Sequence, residues 1–283
     1  MRTVFCRLAL ALAAVLLFVP DLGSNQQPGT LSITVHNVGH GDMTEIRSPT
    51  GEVTLVDCGD GASATARKAL AGVPLRIARF IATHPHDDHI GNFPLLLTRT
   101  SLVYDSGLEH DSRAQEGLYH AVTRGVRMQI ARRGDRIEIG GGAWLDVLWP
   151  PAPLLRGTAS DANNNSIVLM LCYRDFRMLL TGDMETEGLD ELVASGSDLR
   201  CNAVKIPHHG SRGSLHNSFI SSLSARWAIA SCARDGDPAG HGLPHEDCLR
   251  VWRRAGMTVH ATGREGSIRI TSDGSYHRLE AIP

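Results

Sequence analysis

Apolar positions along the chain follow two rhythms. Residues 31–38 (LSITVHNV) alternate apolar and polar, as a half-buried strand does. Residues 43–47 and 53–57 flank Pro49-Thr50-Gly51, and 167–173 and 176–181 flank Arg174-Asp175, so both pairs read as hairpins. Further strands are expected at 79–83, 144–149, 203–206, 226–231, 257–261 and 267–271. The helical rhythm falls on 63–71, 89–97, 112–124, 184–194 and 246–255, with Gly or Pro at nearly every junction. Hairpins first and mixed strands and helices later fit an α/β sandwich with helices outside two packed sheets. No G-x-G-x-x-G follows the first strand, which excludes a simple dinucleotide-binding unit. No linker divides residues 31–283, so one domain is expected there.

The first 24 residues stand apart. Arg2 and Arg7 precede an unbroken apolar run at 8–19, which Pro20, Asp21 and Gly23 end. This is the anatomy of a secretory signal peptide. Twelve apolar residues fall short of the roughly 20 that a spanning helix needs. No A-x-A cleavage site follows Val19, so an uncleaved N-terminal anchor is the alternative. Residues 25–30 read as a flexible leader. The expectation is an exported protein, with any membrane association through residues 1–24 only. Beyond residues 1–24, which hold Cys6, the chain keeps five cysteines, Cys58, Cys172, Cys201, Cys232 and Cys248, an odd number that forms no C-x-x-C. This argues against a thiolate zinc cluster or a dense disulfide framework.

The 283 residues are 42% hydrophobic and 20% charged, with a net charge of −2, which excludes a disordered chain and a multi-span membrane protein. No global basic field points to nucleic acid, although metal ions can supply positive charge locally. The unusual feature is 14 histidines. Four ligand-type residues, His84, His86, Asp88 and His89, fall within six positions of THPHDDHIGN (83–92). Imidazole and carboxylate suit divalent transition ions. His84 and His86 can point the same way in an extended turn, with Asp88 and His89 on the next turn.

This H-x-H-x-D-H pattern resembles the metallo-β-lactamase superfamily, which implies a four-layer αββα sandwich with two metal sites at one edge of the sheets. Asp57 in TLVDCG resembles the aspartate that ends an early strand and supports the site. Asp183 in MLLTGD resembles the carboxylate that bridges the metals, and His208 and His209 in VKIPHHGS resemble the late His motif. The series HNVGHGDMTEI, LVDCGDG, THPHDDHIGN, NNNSIVLML, LLTGD and PHHGS is similar, over about residues 31–281, to the corresponding domain of ComEC-type competence proteins and their stand-alone relatives.

Three positions depart from that pattern. His40 replaces the Gln of V-G-Q-G-D. His86 stands where many relatives have Asp. The third-motif His is absent, and Asn163, Asn164 and Asn165 occupy its region. The resemblance thus implies a first site of His84, His86 and Asp183 plus water. The second site would hold Asp88, His89, Asp183 and one of His208 and His209. We favour His209 as the ligand and His208 as a phosphate contact, a choice the sequence leaves open. Two divalent ions, Zn²⁺ or Mn²⁺, are the implied cofactors. Asp42, Asp57, His40, Asn163, Asn165, Ser211 and His245 are candidates for substrate-binding or supporting roles. His241 shares the HGLPHED segment, whereas His110 and His120 read as exposed.

The expected activity is metal-dependent hydrolysis by metal-activated water, on a phosphodiester of DNA or of a cell-wall polymer. No G-x-S-x-G competes as a nucleophile motif. Asp88 or metal-bound hydroxide handles the proton, a choice the sequence leaves open. Two alternatives stand beside this reading. One is a non-catalytic DNA- or wall-binding module that keeps the fold, and the other is a lactonase or β-lactamase-type hydrolase. No protein partner is implied.

Overall fold

The computed structural model describes residues 29–234 and 242–283. The expected signal peptide or anchor, most of the leader, and His241 lie outside the described residues. At the leader's end, the Gly29 carbonyl accepts the Tyr173 hydroxyl at 2.7 Å.

The strands are β1 (Leu31–Val35), β2 (Thr44–Arg47), β3 (Val53–Val56), β4 (Arg79–Ile81), β5 (Leu102–Asp105), β6 (Arg127–Ile130), β7 (Arg136–Gly140), β8 (Ala143–Trp149), β9 (Val168–Tyr173), β10 (Phe176–Leu180), β11 (Ala203–Lys205), β12 (Trp227–Ala230), β13 (Thr258–Ala261), β14 (Ser267–Ser272) and β15 (His277–Ile282). They form two sheets, ordered β15-β14-β1-β2-β3-β4-β5-β6 and β13-β12-β11-β10-β9-β8-β7. The helices are α1 (Ala64–Ala71), α2 (Asp87–Ile90), α3 (Arg113–Thr123), α4 (Asp161–Asn164), α5 (Thr186–Ala194), α6 (Asn217–Leu223), α7 (Glu246–Arg254) and α8 (Thr262–Glu265).

Three apolar layers make this the expected αββα sandwich. Between the sheets, Ile33, Ile81, Leu145, Leu171, Met178 and Ile268 share one core. Alternation along β8 produces it: Ala143, Leu145 and Val147 turn inward, while Trp144 and Leu148 pack on the other face. On the outer face of the second sheet, α5, α6 and α7 bury Leu189, Phe219 and Trp252. On the outer face of the first, α1 and α3 bury Leu70 and Leu118 against Leu55 and Phe80.

The topology positions the site. β3, β4, β5 and β6 run parallel, as do β10, β11, β12 and β13. The carboxyl ends of β3 and β4 lead into Asp57 and Thr83–His84, and those of β10 and β11 lead into Asp183 and His208–His209. Ligand-type residues from both sheets thereby gather at strand ends, where open α/β sheets place their chemistry.

Several elements differ from the sequence expectation. The helix expected at 89–97 is the single turn α2 followed by a 3₁₀ turn at Phe93–Leu96. Gly91 fits tightly between the Asp87 carbonyl and the Gly61 amide, and Pro94 opens the 3₁₀ turn without an amide hydrogen to donate. β5, β6, β7, β15, α4 and α6 carry too little uninterrupted apolar periodicity to stand out. β6, for example, is largely exposed on the sheet edge.

Leu171 is fully buried between the sheets, so Leu171→Ala should cost about 2–5 kcal/mol in chemical denaturation. Leu75 is 83% exposed, and its replacement by Ala should stay within about 0.5 kcal/mol.

Candidate metal centre

The site grows from the loops that follow β1, β3, β4, β10 and β11. Asp57 follows β3 in the left-handed backbone region, with φ 58°. Its Oδ1 accepts the Thr83 amide at 2.9 Å and its Oδ2 the Thr83 hydroxyl at 2.7 Å, which fixes the start of the His-rich loop. Asn92 closes the loop's other end by donating its amide to the carbonyls of Cys58, Gly59 and Asp60. Gly41, with φ +108°, lets the β1–β2 loop press against the loop, since a Cβ there would sit 2.1 Å from the Asp88 carbonyl oxygen.

The buried imidazoles share one arrangement. His89 Nδ1 lies 2.8 Å from Asp57 Oδ2, His209 Nδ1 lies 3.0 Å from the Ser231 carbonyl, and His84 Nδ1 lies 3.1 Å from Thr83 Oγ1. Each ring is thus held by Nδ1 and presents Nε2. Such outer hydrogen bonds orient metal-binding histidines.

The presented atoms converge. Asp183 Oδ2 lies 3.1 Å from His209 Nε2 and 3.2 Å from His89 Nε2. Asp88 Oδ2 lies 3.3 Å from His209 Nε2 and 3.7 Å from His89 Nε2. Asp88, His89, Asp183 and His209 each offer one ligand atom within 4.8 Å of the others. His89 Nε2 and His209 Nε2 are buried and make no hydrogen bond. Two bare imidazole nitrogens between two carboxylates are the donor set of a divalent transition ion, so the residues fit the group. Beside this cluster, His84 Nε2 and His86 Nδ1 lie 3.0 Å apart, and the rings of His84 and His89 are 4.1 Å apart.

Charge balance explains the titration of these groups. Burial opposes charge on His89, yet Asp183, Asp88 and Asp57 together hold its pKa well above the ordinary value. His209 is likewise disfavoured by burial but raised to about 9 by Asp183 and Asp42. Burial works against ionised Asp183 and Asp88, but the neighbouring imidazoles hold both well below the carboxylate range. Burial and the neighbouring His89 push His84 and His86 down, so these two rings are neutral and ready to ligate.

The remaining candidates are placed as follows. His40 Nε2 sits 3.2 Å from Asp88 Oδ2, with its ring 4.8 Å from that of His209. His208 points Nε2 towards Asp183 Oδ2 at 3.8 Å and Nδ1 towards Glu185 Oε1 at 3.1 Å. Both His208 and His209 have left-handed backbone, which costs about 1–3 kcal/mol per residue and typically marks functional sites. Asp42 forms an ion pair with Lys205 behind the cluster. Asn163 donates to Glu185 at 2.9 Å. Asn165 instead spends its amide on Leu155 and Asp161, pinning a loop. The Ser211 hydroxyl accepts the Gly213 amide, a local cap. The His245 amide donates to the Gly210 carbonyl, and its Nδ1 is buried without a hydrogen bond.

Three residues outside the expected set adjoin the site. Lys205 lies 3.3 Å from Asp183 Oδ1, Glu185 contacts His208, and the His110 ring packs edge-on against His86 at 5.4 Å. The available signal for Lys205 was a lysine inside the apolar run AVKIP, directly before the His pair.

Fold and donor set together define a metal-dependent hydrolase architecture. Residues 36–231 match the family described as "Metallo-beta-lactamase superfamily", and the chain belongs to that superfamily. Among curated proteins, ComE operon protein 3 of Bacillus subtilis is 31% identical over 192 residues, covering 67% of this chain and 24% of that protein. Competence protein ComA of Neisseria gonorrhoeae is 25% identical over 253 residues, covering 84% of this chain and 32% of that protein. The chain thus spans about a quarter to a third of these relatives. Among solved structures, YhfI of Bacillus subtilis, a metallo-beta-lactamase fold protein, matches with TM-score 0.54 and 12% identity over 88% of this chain and all of that one. The CmlA beta-hydroxylase matches with TM-score 0.57 and 17% identity, over 88% and 54% of the two chains. These two likenesses show the fold.

The His209 shift makes a pH prediction for the metal-free protein. A histidine raised from 6.5 to about 9 on folding stabilises fully below about 6.5, and this contribution disappears as pH rises through 9. Thermal melts of metal-free protein should therefore show stability falling between pH 6.5 and 9, by up to about 3 kcal/mol from this residue. A flat profile would contradict the charge balance described here.

Proposed function

We propose that the protein is an exported, metal-dependent hydrolase that cleaves a phosphodiester with two divalent ions, Zn²⁺ or Mn²⁺. The observation that carries the reading is the convergence of the bare His89 and His209 Nε2 atoms on Asp88 and Asp183. Bound ions there would supply Lewis acidity and an activated water. Asp88, His89, Asp183 and His209 would hold one ion; His84 and His86 would hold the other, with Asp183 shared.

The chain's own residues supply the rest. His84, His89, His209 and Asp183 are almost wholly buried. The side chains of His40, Asp88 and His208 are 18%, 21% and 23% exposed, so they form the face a substrate meets. His208, beside Asp183 and Glu185, would contact a phosphate oxygen. Asp88, the most open carboxylate of the cluster, or the activated water itself would handle the proton. Phosphoryl transfer depends mainly on positioning and charge stabilisation, which such a face provides.

Nucleic acid is the substrate class we favour on the ComEC-type motif series. One local feature favours a smaller phosphodiester instead. A hollow of about 480 Å³ around His110 is lined by Glu109, Asp111, Glu116 and Tyr119. Its carboxylates would repel a polyanion there. Export rests on residues 1–24. Among the described residues no helix is long and apolar enough to cross a membrane.

Hydrolysis of bis(p-nitrophenyl) phosphate by protein reloaded with Mn²⁺ or Zn²⁺ tests the reading. We expect metal-dependent turnover, and a loss of about 10²- to 10³-fold in Asp183→Asn, the scale of removing one stabiliser of developing charge. Folded, metal-loaded protein without turnover would sink it, in favour of the binding-module or lactonase alternative. Oligonucleotide against small phosphodiester then decides the substrate class.

A further inference from the structure

Lys205 ends β11 with its side chain only 2% exposed. Burying an ammonium costs several kcal/mol even after relaxation, and an apolar residue of similar volume often serves stability as well or better. A lysine here therefore calls for a role beyond filling space. Its three donors have three acceptors: an Asp42 carboxylate oxygen, Asp183 Oδ1 at 3.3 Å and the Gly182 carbonyl at 3.0 Å. An ammonium has three N–H groups, so none remains for a substrate. Lys205 is thereby excluded as a direct contact to the reacting group.

The two oxygens of Asp183 face different partners. Oδ1 meets Lys205, while Oδ2 meets His89, His209 and His208 at 3.2, 3.1 and 3.8 Å. The backbone supports this orientation. Gly182, with φ +53°, has no room for a Cβ, which would lie 2.8 Å from the Ser166 Cβ. Its carbonyl accepts both Lys205 and the His208 amide. The Asp183 amide donates to Ser166 Oγ at 3.2 Å. Asp42, in turn, is carried by the loop whose Asp42 amide donates to the Asp88 carbonyl at 3.1 Å.

We propose that Lys205, braced by Asp42 and the Gly182 carbonyl, is a positioning residue that occupies Asp183 Oδ1 and so leaves Oδ2 as the single oxygen shared between the two metal positions. The brace joins three separated segments, the β1–β2 loop, the turn after β10 and the end of β11. With Oδ1 released, Asp183 can turn both oxygens to one ion, and the pair of histidines at 84 and 86 loses its shared carboxylate. This inference rests on the two-metal reading above.

The test uses the full chain and Mn²⁺ alone, with stoichiometry from metal analysis and spin coupling from electron paramagnetic resonance. Asp42→Asn/Lys205→Met removes the brace without stranding the Asp42 charge. Wild type should bind two coupled ions. The double variant should keep the first ion's affinity and weaken the second by about tenfold to a hundredfold, the range for lost supporting contacts, with the coupled signal gone. A merely structural lysine would weaken both ions together as the fold loosens, and that outcome, like an unchanged second ion, overturns the proposal. A crystal structure of Mn²⁺-loaded wild type decides the matter even where the variant does not fold. Asp183 Oδ1 on Lys205 Nζ is the expected result, and both oxygens on one ion the overturning one. Wild type that binds fewer than two ions removes the two-metal reading, and this inference with it.

Discussion

Four carboxylates crowd one edge of the sandwich, and their mutual repulsion is the constraint around which the site is built. Asp42, Asp57 and Asp183 are nearly inaccessible, and Asp88 is only partly open. Like charges this close cannot all remain ionised without cations among them. Among the described residues Lys205 supplies a fixed cation here, and the imidazoles of His89 and His209 hold protons when no metal is bound. A divalent ion displaces such protons, so metal uptake, protonation and stability become one linked equilibrium. The parallel stretches of both sheets make the crowding possible, because they deliver their loops to a common edge. Gly41, Gly182 and the left-handed residues Asp57, His208 and His209 then bring backbone and side chains closer than ordinary turns allow.

The part of this that was legible in the sequence is the part concentrated in short segments. His84, His86, Asp88 and His89 fall within six residues, and no solvated loop needs that density of ligand types. The layer architecture was legible because its central strands are continuous or alternating apolar runs. Lys205 was not, since a charged residue beside a histidine motif ordinarily reads as surface or substrate-facing. Its role depends on Asp42 and Asp183, distant in sequence. His110 read as exposed and is exposed; its edge-on contact with His86 was hidden because nothing local indicates that the loop before α3 folds back there. Asn163 and Asn165 were grouped by proximity in the chain, yet their amides serve Glu185 and a separate loop. Edge strands such as β6 were missed because an edge exposed to water needs no apolar alternation.

The site is uneven. One position is surrounded by two imidazoles and two carboxylates that already converge. In the two-ion reading proposed above, the other would have two imidazoles and a share of Asp183. In that reading the difference would follow from the asparagines in the region of a further histidine, with Asn165 turned towards its own loop. Membership of the superfamily sets the fold and the metal chemistry, whereas the substrate depends on the rim, which folds of this kind vary freely. Here the rim combines an imidazole-lined mouth with an acidic hollow beside it.

Metal content of the purified full chain, after reconstitution and removal of free ions, tests the central claim most directly. The account predicts two tightly retained divalent ions per chain, with protons released on binding. Retention of none by folded protein would contradict it, because the converging ligand atoms of Asp88, His89, Asp183 and His209 would then bind no ion.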